Sequence, residues 1–292
     1  MKSFVLALVL GVLSTNLWAI GFEGEISFSR QETLAHQASV DTIVSSATEC
    51  LKHDLNRHQA FFKRYGISAY YGDRSQFAKM SRTAQERTLK KLGLPTSLLD
   101  QMAPTSCVGL TLKCLESGFL KAGQASIWSK IKTYTKRNSQ DGTALQNALQ
   151  KLGWTLHYWN PDPNQNEIWD RSEHNKDPDN SGRFWGYHAY RFLTISRENR
   201  YYFNVVDDSN WLVGFQKNPP ANFSDIPFFV GTAHTGYHVF PGMYGQVIEG
   251  HSTRSITDPN TLESSPFNPL QDGGGPRGLY RSGLILIPPG YY

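Results

Sequence analysis

Cysteine is scarce in this chain: three in 292 residues, and an odd number. A disulfide-dense small scaffold is therefore excluded, and any single disulfide leaves one thiol over. Strong charge of one sign is also missing, since 29 basic and 25 acidic residues leave a formal net charge of +4. That excess is too small and too scattered to make a nucleic-acid surface. It would suit an anionic polymer such as a cell wall, but weakly. Beyond the first residues no segment is long and apolar enough to be a membrane span. There is no internal repeat. Gly273-Gly274-Gly275-Pro276 lacks phosphate-binding spacing and reads as a flexible loop.

The N-terminus does carry an apolar run. Lys2, then Phe4 to Leu13, then Leu17-Trp18-Ala19 read as a secretory signal occupying residues 1–19. The run is too short to span a bilayer comfortably, and no cysteine follows it as in a bacterial lipoprotein. The expectation is a soluble chain exported to the periplasm or secreted. In that setting Cys50 and Cys114 can form a disulfide that leaves Cys107 free. The other reading, equally open on the count alone, is three small buried apolar residues.

Helical periodicity dominates the first half. Val40, Ile43, Val44, Ala47, Leu51 and Leu55 predict a helix within 33–65, stopped by Gly66. Further helices are expected over 81–92, 97–102, 107–121, 124–136 and 143–152. The period then changes. Strands are expected over 155–159, 187–196, 201–206, 226–232, 236–240, 245–250 and 283–287. Residues 160–183, rich in Asn, Asp and Pro, read as a long loop. Helices first and strands later define an α+β class. Trp154, Tyr158, Trp159, Trp169, Trp185, Tyr187 and Tyr190 crowd the region around that loop. An aromatic core is preferred there over an apolar wall for a glycan or peptide.

Cys107 draws attention by position. It stands in Ser106-Cys107-Val108-Gly109-Leu110-Thr111, at the expected start of a helix. A thiolate there is stabilised by the helix dipole and free backbone N–H groups. A cysteine nucleophile needs a base, and the base needs an orienting partner. Residues 231–251 offer His234, His238 and His251. Read as strand, turn, strand, with Pro241-Gly242 and Gly245 in the turn, the stretch makes His238 and His251 neighbours across a hairpin. His234 is the rival base, four residues before His238. His234, His238, Glu249 and His251 are also a conceivable metal set. Zincin-like spacing needs a helix, however, and Gly236 argues against one, so no metal and no cofactor are expected. Asp207 and Asp208 could orient a histidine but are the usual residues of a turn. His157, His174 and His188 carry no motif.

Three pieces together resemble the NlpC/P60 peptidases. Cys107-Val108-Gly109-Leu110-Thr111 is similar to their nucleophile motif, with Ser106 where the family has Asp and Val108 where it has Ser. Asp225-Ile226-Pro227-Phe228-Phe229 resembles their Gly-Asp-Leu-Val-Phe-Phe strand. His238-Val239 and Val247-Ile248-Glu249-Gly250-His251-Ser252 resemble their histidine strand and the strand after it. The resemblance implies a papain-like α+β fold with N-terminal helices packed on a small antiparallel sheet. It implies Cys107 as nucleophile, His238 as base and His251 as the orienting polar residue. It also implies cleavage of a peptide or amide bond, most often in peptidoglycan. A helical segment over 20–103 would then precede a catalytic domain over 104–292, with an insertion near 160–200. The alternatives are a non-catalytic wall- or ligand-binding protein on the same scaffold, and an acyltransferase using the same triad.

Overall fold

A 36-residue helix, α1 (Arg30–Tyr65), runs through the middle of the molecule. Ser29 caps it: its hydroxyl accepts from the Glu32 N–H while the Glu32 carboxylate accepts from the Ser29 N–H. Gly66, at φ 66°, ends it in the left-handed conformation. The computed structural model describes residues 26–137, 142–159, 215–217, 220–233, 239–267 and 283–292. The signal-like residues 1–19 and the expected strands over 187–196 and 201–206 lie outside them.

After α1 come β1 (Tyr70–Gly72), α2 (Gln76–Lys79), α3 (Arg82–Lys91) and a 3-10 turn over Thr96–Gln101. Next are β2 (Ala103–Thr105), α4 (Cys107–Lys121), α5 (Ala125–Arg137) and α6 (Gly142–Lys151). The strands β3 (Thr155–Trp159), β4 (Phe215–Lys217), β5 (Phe229–Ala233), β6 (Val239–Met243), β7 (Gln246–Gly250), β8 (Leu262–Pro266) and β9 (Gly283–Ile287) complete the order. The helices thus begin and end close to where periodicity puts them, and the chain is α+β. The expected 97–102 helix is a 3-10 turn.

Among the described residues, seven strands form one sheet in the order β4-β3-β9-β5-β6-β7-β8, antiparallel except for the parallel β3–β4 pair. β1 and β2 form a separate two-stranded parallel sheet. One side of the large sheet packs Val230, Val239, Ile248 and Leu286 into a core shared with Val40, Ile43, Leu51, Leu110 and Leu115 of α1 and α4. The other side gathers Phe223, Phe229, Phe240, Val247, Phe267, Ile285 and Ile287. Trp154 is buried in the first core, while Trp169, Trp185, Tyr187 and Tyr190 of the expected aromatic cluster lie outside the described residues. Residues between Ile26 and Met102 thus share one hydrophobic core with the strands.

The β6–β7 turn contains Gly245, as expected, but not Pro241-Gly242. Pro241 and Gly242 lie inside β6, paired with Val230 and Phe229. The turn itself is Tyr244-Gly245, both at positive φ (49° and 67°). Positive φ at both central positions follows the right-handed twist of the flanking strands. Pro241 lacks an N–H, and the β6–β7 ladder pairs only Gly242 with Val247 and Met243 with Gln246.

Cys50 of α1 and Cys114 of α4 form a disulfide, with Cα atoms 5.3 Å apart. Cys107 is the remaining, free thiol.

Candidate functional site

Cys107 is the first residue of α4. Ser106 is the N-cap, and its hydroxyl accepts from the Gly109 N–H at 3.2 Å. The first helical bond is made by the Leu110 N–H to the Ser106 carbonyl at 2.8 Å. The N–H groups of Cys107 and Val108 precede that bond and have no intrahelical acceptor.

The thiol is not poised as a thiolate. Cys107 is 7% exposed, and its sulfur donates to the Gly250 carbonyl at 3.1 Å. Burial, then the nearby Glu249 carboxylate, then Asp73, push the thiol far above its ordinary value. The helix start stabilises negative charge, as the sequence suggests, but desolvation outweighs it in this state. Position in the chain specifies the helix dipole; it does not reveal which strand will cover the sulfur.

That strand is β7. A Cβ on Gly250 would stand 2.6 Å from Thr105 Oγ1 and 3.3 Å from the Ser106 carbonyl carbon. Glycine therefore lets the end of β7 close on the start of α4. The segment after β7 is tied down from several sides. The His251 N–H donates to the Thr261 carbonyl at 2.9 Å, and the Arg74 N–H to the Ser252 carbonyl at 3.0 Å. His58 of α1 reaches the Pro259 carbonyl with Nε2 at 2.7 Å and the Ser68 hydroxyl with Nδ1 at 2.9 Å. The carbonyl can only accept, so Nε2 carries the His58 proton and Nδ1 accepts. Burial holds the His58 pKa below its ordinary value.

The His251 backbone thus follows directly on the Gly250 carbonyl that holds the Cys107 thiol. His251 Nε2 lies 2.7 Å from Glu263 Oε1 and 3.5 Å from Glu249 Oε2. The β7–β8 register sets Glu249 directly opposite Glu263. Two carboxylates directly opposite repel unless a cation or proton stands between them, and the imidazole is placed to supply it. One donor atom from each of the three side chains falls within 4.8 Å of the others. The 2.7 Å His251–Glu263 separation is that of a shared proton. Two ligands on a zinc ion stand further apart, at about 3.3 Å from the usual bond lengths. The sequence marks Glu249 only as a conceivable metal ligand, and Glu263 carries no sequence signal beyond being acidic.

His238 and His234, the two candidate bases, lie outside the described residues, as do Asp207, Asp208, His174 and His188. Val239, the residue after His238, begins β6 and is buried. His157 is buried on β3.

A cleft of about 310 Å³ opens at the start of α4. Asp54, Tyr70, Asp73, Thr105, Ser106 and Lys113 are among the residues that line it. The Asp54 carboxylate is 1% exposed and paired with Lys113 Nζ at 2.6 Å. Tyr70 lies beneath two cations, Arg57 at 5.4 Å and Lys113 at 5.6 Å from its ring centre. Burial, with Asp54 beside it, pushes the Tyr70 phenol well above its ordinary value. Of these six cleft residues only Ser106 belongs to a sequence motif; the fold brings the others to it from α1, β1, β2 and α4.

No protein-family model, no curated protein and no solved structure matches this chain.

Proposed function

We propose that this protein is an exported cysteine hydrolase of papain-like, NlpC/P60-type fold that cleaves a peptide or amide bond in peptidoglycan. The observation that carries the reading is Cys107 at the first turn of α4, its sulfur on the Gly250 carbonyl at the end of β7, just before His251. A helix with a cysteine at its start, followed by antiparallel strands, is the arrangement the NlpC/P60 resemblance implies. The reading requires His238, immediately before Val239, to act as the base.

In this reading the thiol leaves the Gly250 carbonyl and passes its proton to His238. The thiolate attacks the substrate carbonyl, and the N–H groups of Cys107 and Val108 bear the developing oxyanion. The protonated His238 then gives its proton to the departing amine, leaving a thioester on Cys107. Water, losing a proton to the same histidine, attacks the thioester and releases the acid and the free thiol.

One observation favours a second reading. Cys107 is buried and held in its protonated form. A binding protein with an inert cysteine, its ligand in the cleft, would show the same.

Purified peptidoglycan sacculi separate the two. The hydrolase reading predicts release of soluble fragments by the wild type, loss of release in Cys107→Ala and His238→Ala, and retention in His234→Ala. Sacculi retained on the protein with no fragment released, or release undiminished in Cys107→Ala, would establish the second reading or refute the first. Product masses distinguish transfer from hydrolysis: a transferase leaves the acyl group on a new amine or alcohol, a hydrolase on water.

A further inference from the structure

We propose that the outer face of α3, bordered by Met80 and Leu92, is a docking surface for an anionic phospholipid bilayer. The inference is independent of the Cys107 reading.

Charge is the first observation. Basic residues occur along the whole chain, but their excess is local. Within 74–101, Arg74, Lys79, Arg82, Arg87, Lys90 and Lys91 stand against Glu86 and Asp100, a net of +4, which is the net charge of the entire chain. Both acids are engaged by one cation, since Arg82 reaches Asp100 at 2.7 Å and Glu86 at 3.4 Å. Lys79, Arg87, Lys90 and Lys91 are exposed and make no ion pair among the described residues. Leu89 is the fully buried side of α3. Lys90 and Lys91, three and four residues from Arg87, share the opposite side with it. Favourable charge at the helix C-terminus accounts for Lys90 and Lys91. It does not account for Lys79 or Arg87, nor for the apolar groups beside them.

Those groups are the second observation. Met80 is 37% exposed and Leu92 45%. The Thr88 hydroxyl stands 3.6 Å from the Met80 sulfur, which lays Met80 against α3. Leu92, four residues after Thr88, continues that side, and Lys91 borders it. Cations beside protruding apolar side chains match a bilayer surface, where phosphate headgroups lie above acyl chains. A soluble polyanion would use the cations and leave Met80 and Leu92 in water. α3 has ten residues, too few to cross a bilayer, so it lies on the surface. Each Lys or Arg near an anionic leaflet strengthens binding about fivefold. The contact is therefore reversible and weakened by salt.

The test uses the full chain with vesicles of phosphatidylcholine, alone or mixed equally with phosphatidylglycerol. A polarity-sensitive dye on Thr83→Cys reports from the outer face of α3. Cys107 is buried and the other two cysteines are joined, so the label goes to that position. A dye there separates contact by this face from contact by the N-terminal apolar run. Mixed vesicles should shift its emission to the blue, phosphatidylcholine should not, and high salt should reverse the shift. Combining Arg87→Gln, Lys90→Gln and Lys91→Gln should raise the lipid needed for the shift about 100-fold. Met80→Ser with Leu92→Ser should abolish the shift while salt-sensitive sedimentation with mixed vesicles persists in part. All five changed side chains are exposed, and reversal by salt tests the charge without any variant. No shift with mixed vesicles, or an equal shift with phosphatidylcholine, overturns the proposal. So does a wild-type response in the triple Gln variant. A shift unchanged by Met80→Ser with Leu92→Ser, together with retention of the protein on immobilised polyphosphate, also overturns it and makes the face a polyanion site.

Discussion

Single residues in this protein are governed by what covers them. Cys107 has the helix position that lowers a thiol's pKa, yet burial and Glu249 raise it. His36 shows the same physics away from the site. It is fully buried, with Nδ1 at 3.2 Å from Gln124 Oε1, and Nε2 accepts the Trp154 indole N–H at 3.0 Å. Burial lowers its pKa from 6.5 to about 4. The folded state therefore keeps His36 neutral where the unfolded chain would protonate it. Stability is full above about pH 6.5 and declines as pH falls toward about 4, by on the order of 3 kcal/mol from this residue. Urea unfolding at pH 7 and pH 4.5 should show the loss. His36→Gln, which cannot titrate, should have a flatter dependence; an equal slope in that variant would contradict the assignment.

Gly250 belongs to the same scale. Gly250→Ala places a methyl group against Thr105 and Ser106. It should destabilise the protein by about 1–3 kcal/mol and draw the Gly250 carbonyl away from the sulfur. Denaturant midpoints give the first effect. Faster labelling of Cys107 by iodoacetamide than in the wild type gives the second, since the thiol loses both its cover and its acceptor.

Between elements, the central contact is α1 against α4. The Cys50–Cys114 disulfide closes a span of 64 residues between them. Removing a cross-link of that span costs about 4 kcal/mol if it acts through the unfolded chain. The paired Cys50→Ser, Cys114→Ala variant should show that loss in urea. No change in midpoint would mean that packing alone holds the two helices. The pairing itself was one of two readings open to an odd count of cysteines.

The ends of α1 and α4 were legible because each has a local marker: Gly66 stops one, and Ser106 starts the other. β8 was not. Leu262-Glu-Ser-Ser-Pro has neither apolar alternation nor a β-branched residue, and only its pairing with β7 makes it a strand. Glu263 was missed with it. Gly245 marks the β6–β7 turn in the sequence, but Pro241-Gly242 is a louder and misleading signal, and Tyr244 takes positive φ at a residue other than glycine. β1 and β2 pair across a long interval, and three-residue strands carry too little pattern to be read locally.

Across the molecule, one core joins helices from the first half to strands from the second. Cys107 and His251 are 144 positions apart in the chain, yet the Gly250 carbonyl links their surroundings. The cleft likewise draws on α1, β1, β2 and α4. Motifs named the cysteine and the histidine; the cleft and the carboxylates around the imidazole emerged only from long-range packing. The central claim, that Cys107 is a nucleophile, concerns this whole assembly. Its most direct test is to mix the protein with sacculi, quench in acid during turnover, and weigh the peptide that contains Cys107. The account predicts an acyl group on Cys107, removed by hydroxylamine and absent in His238→Ala. Fragment release with Cys107 unmodified and another residue carrying the acyl group would contradict it.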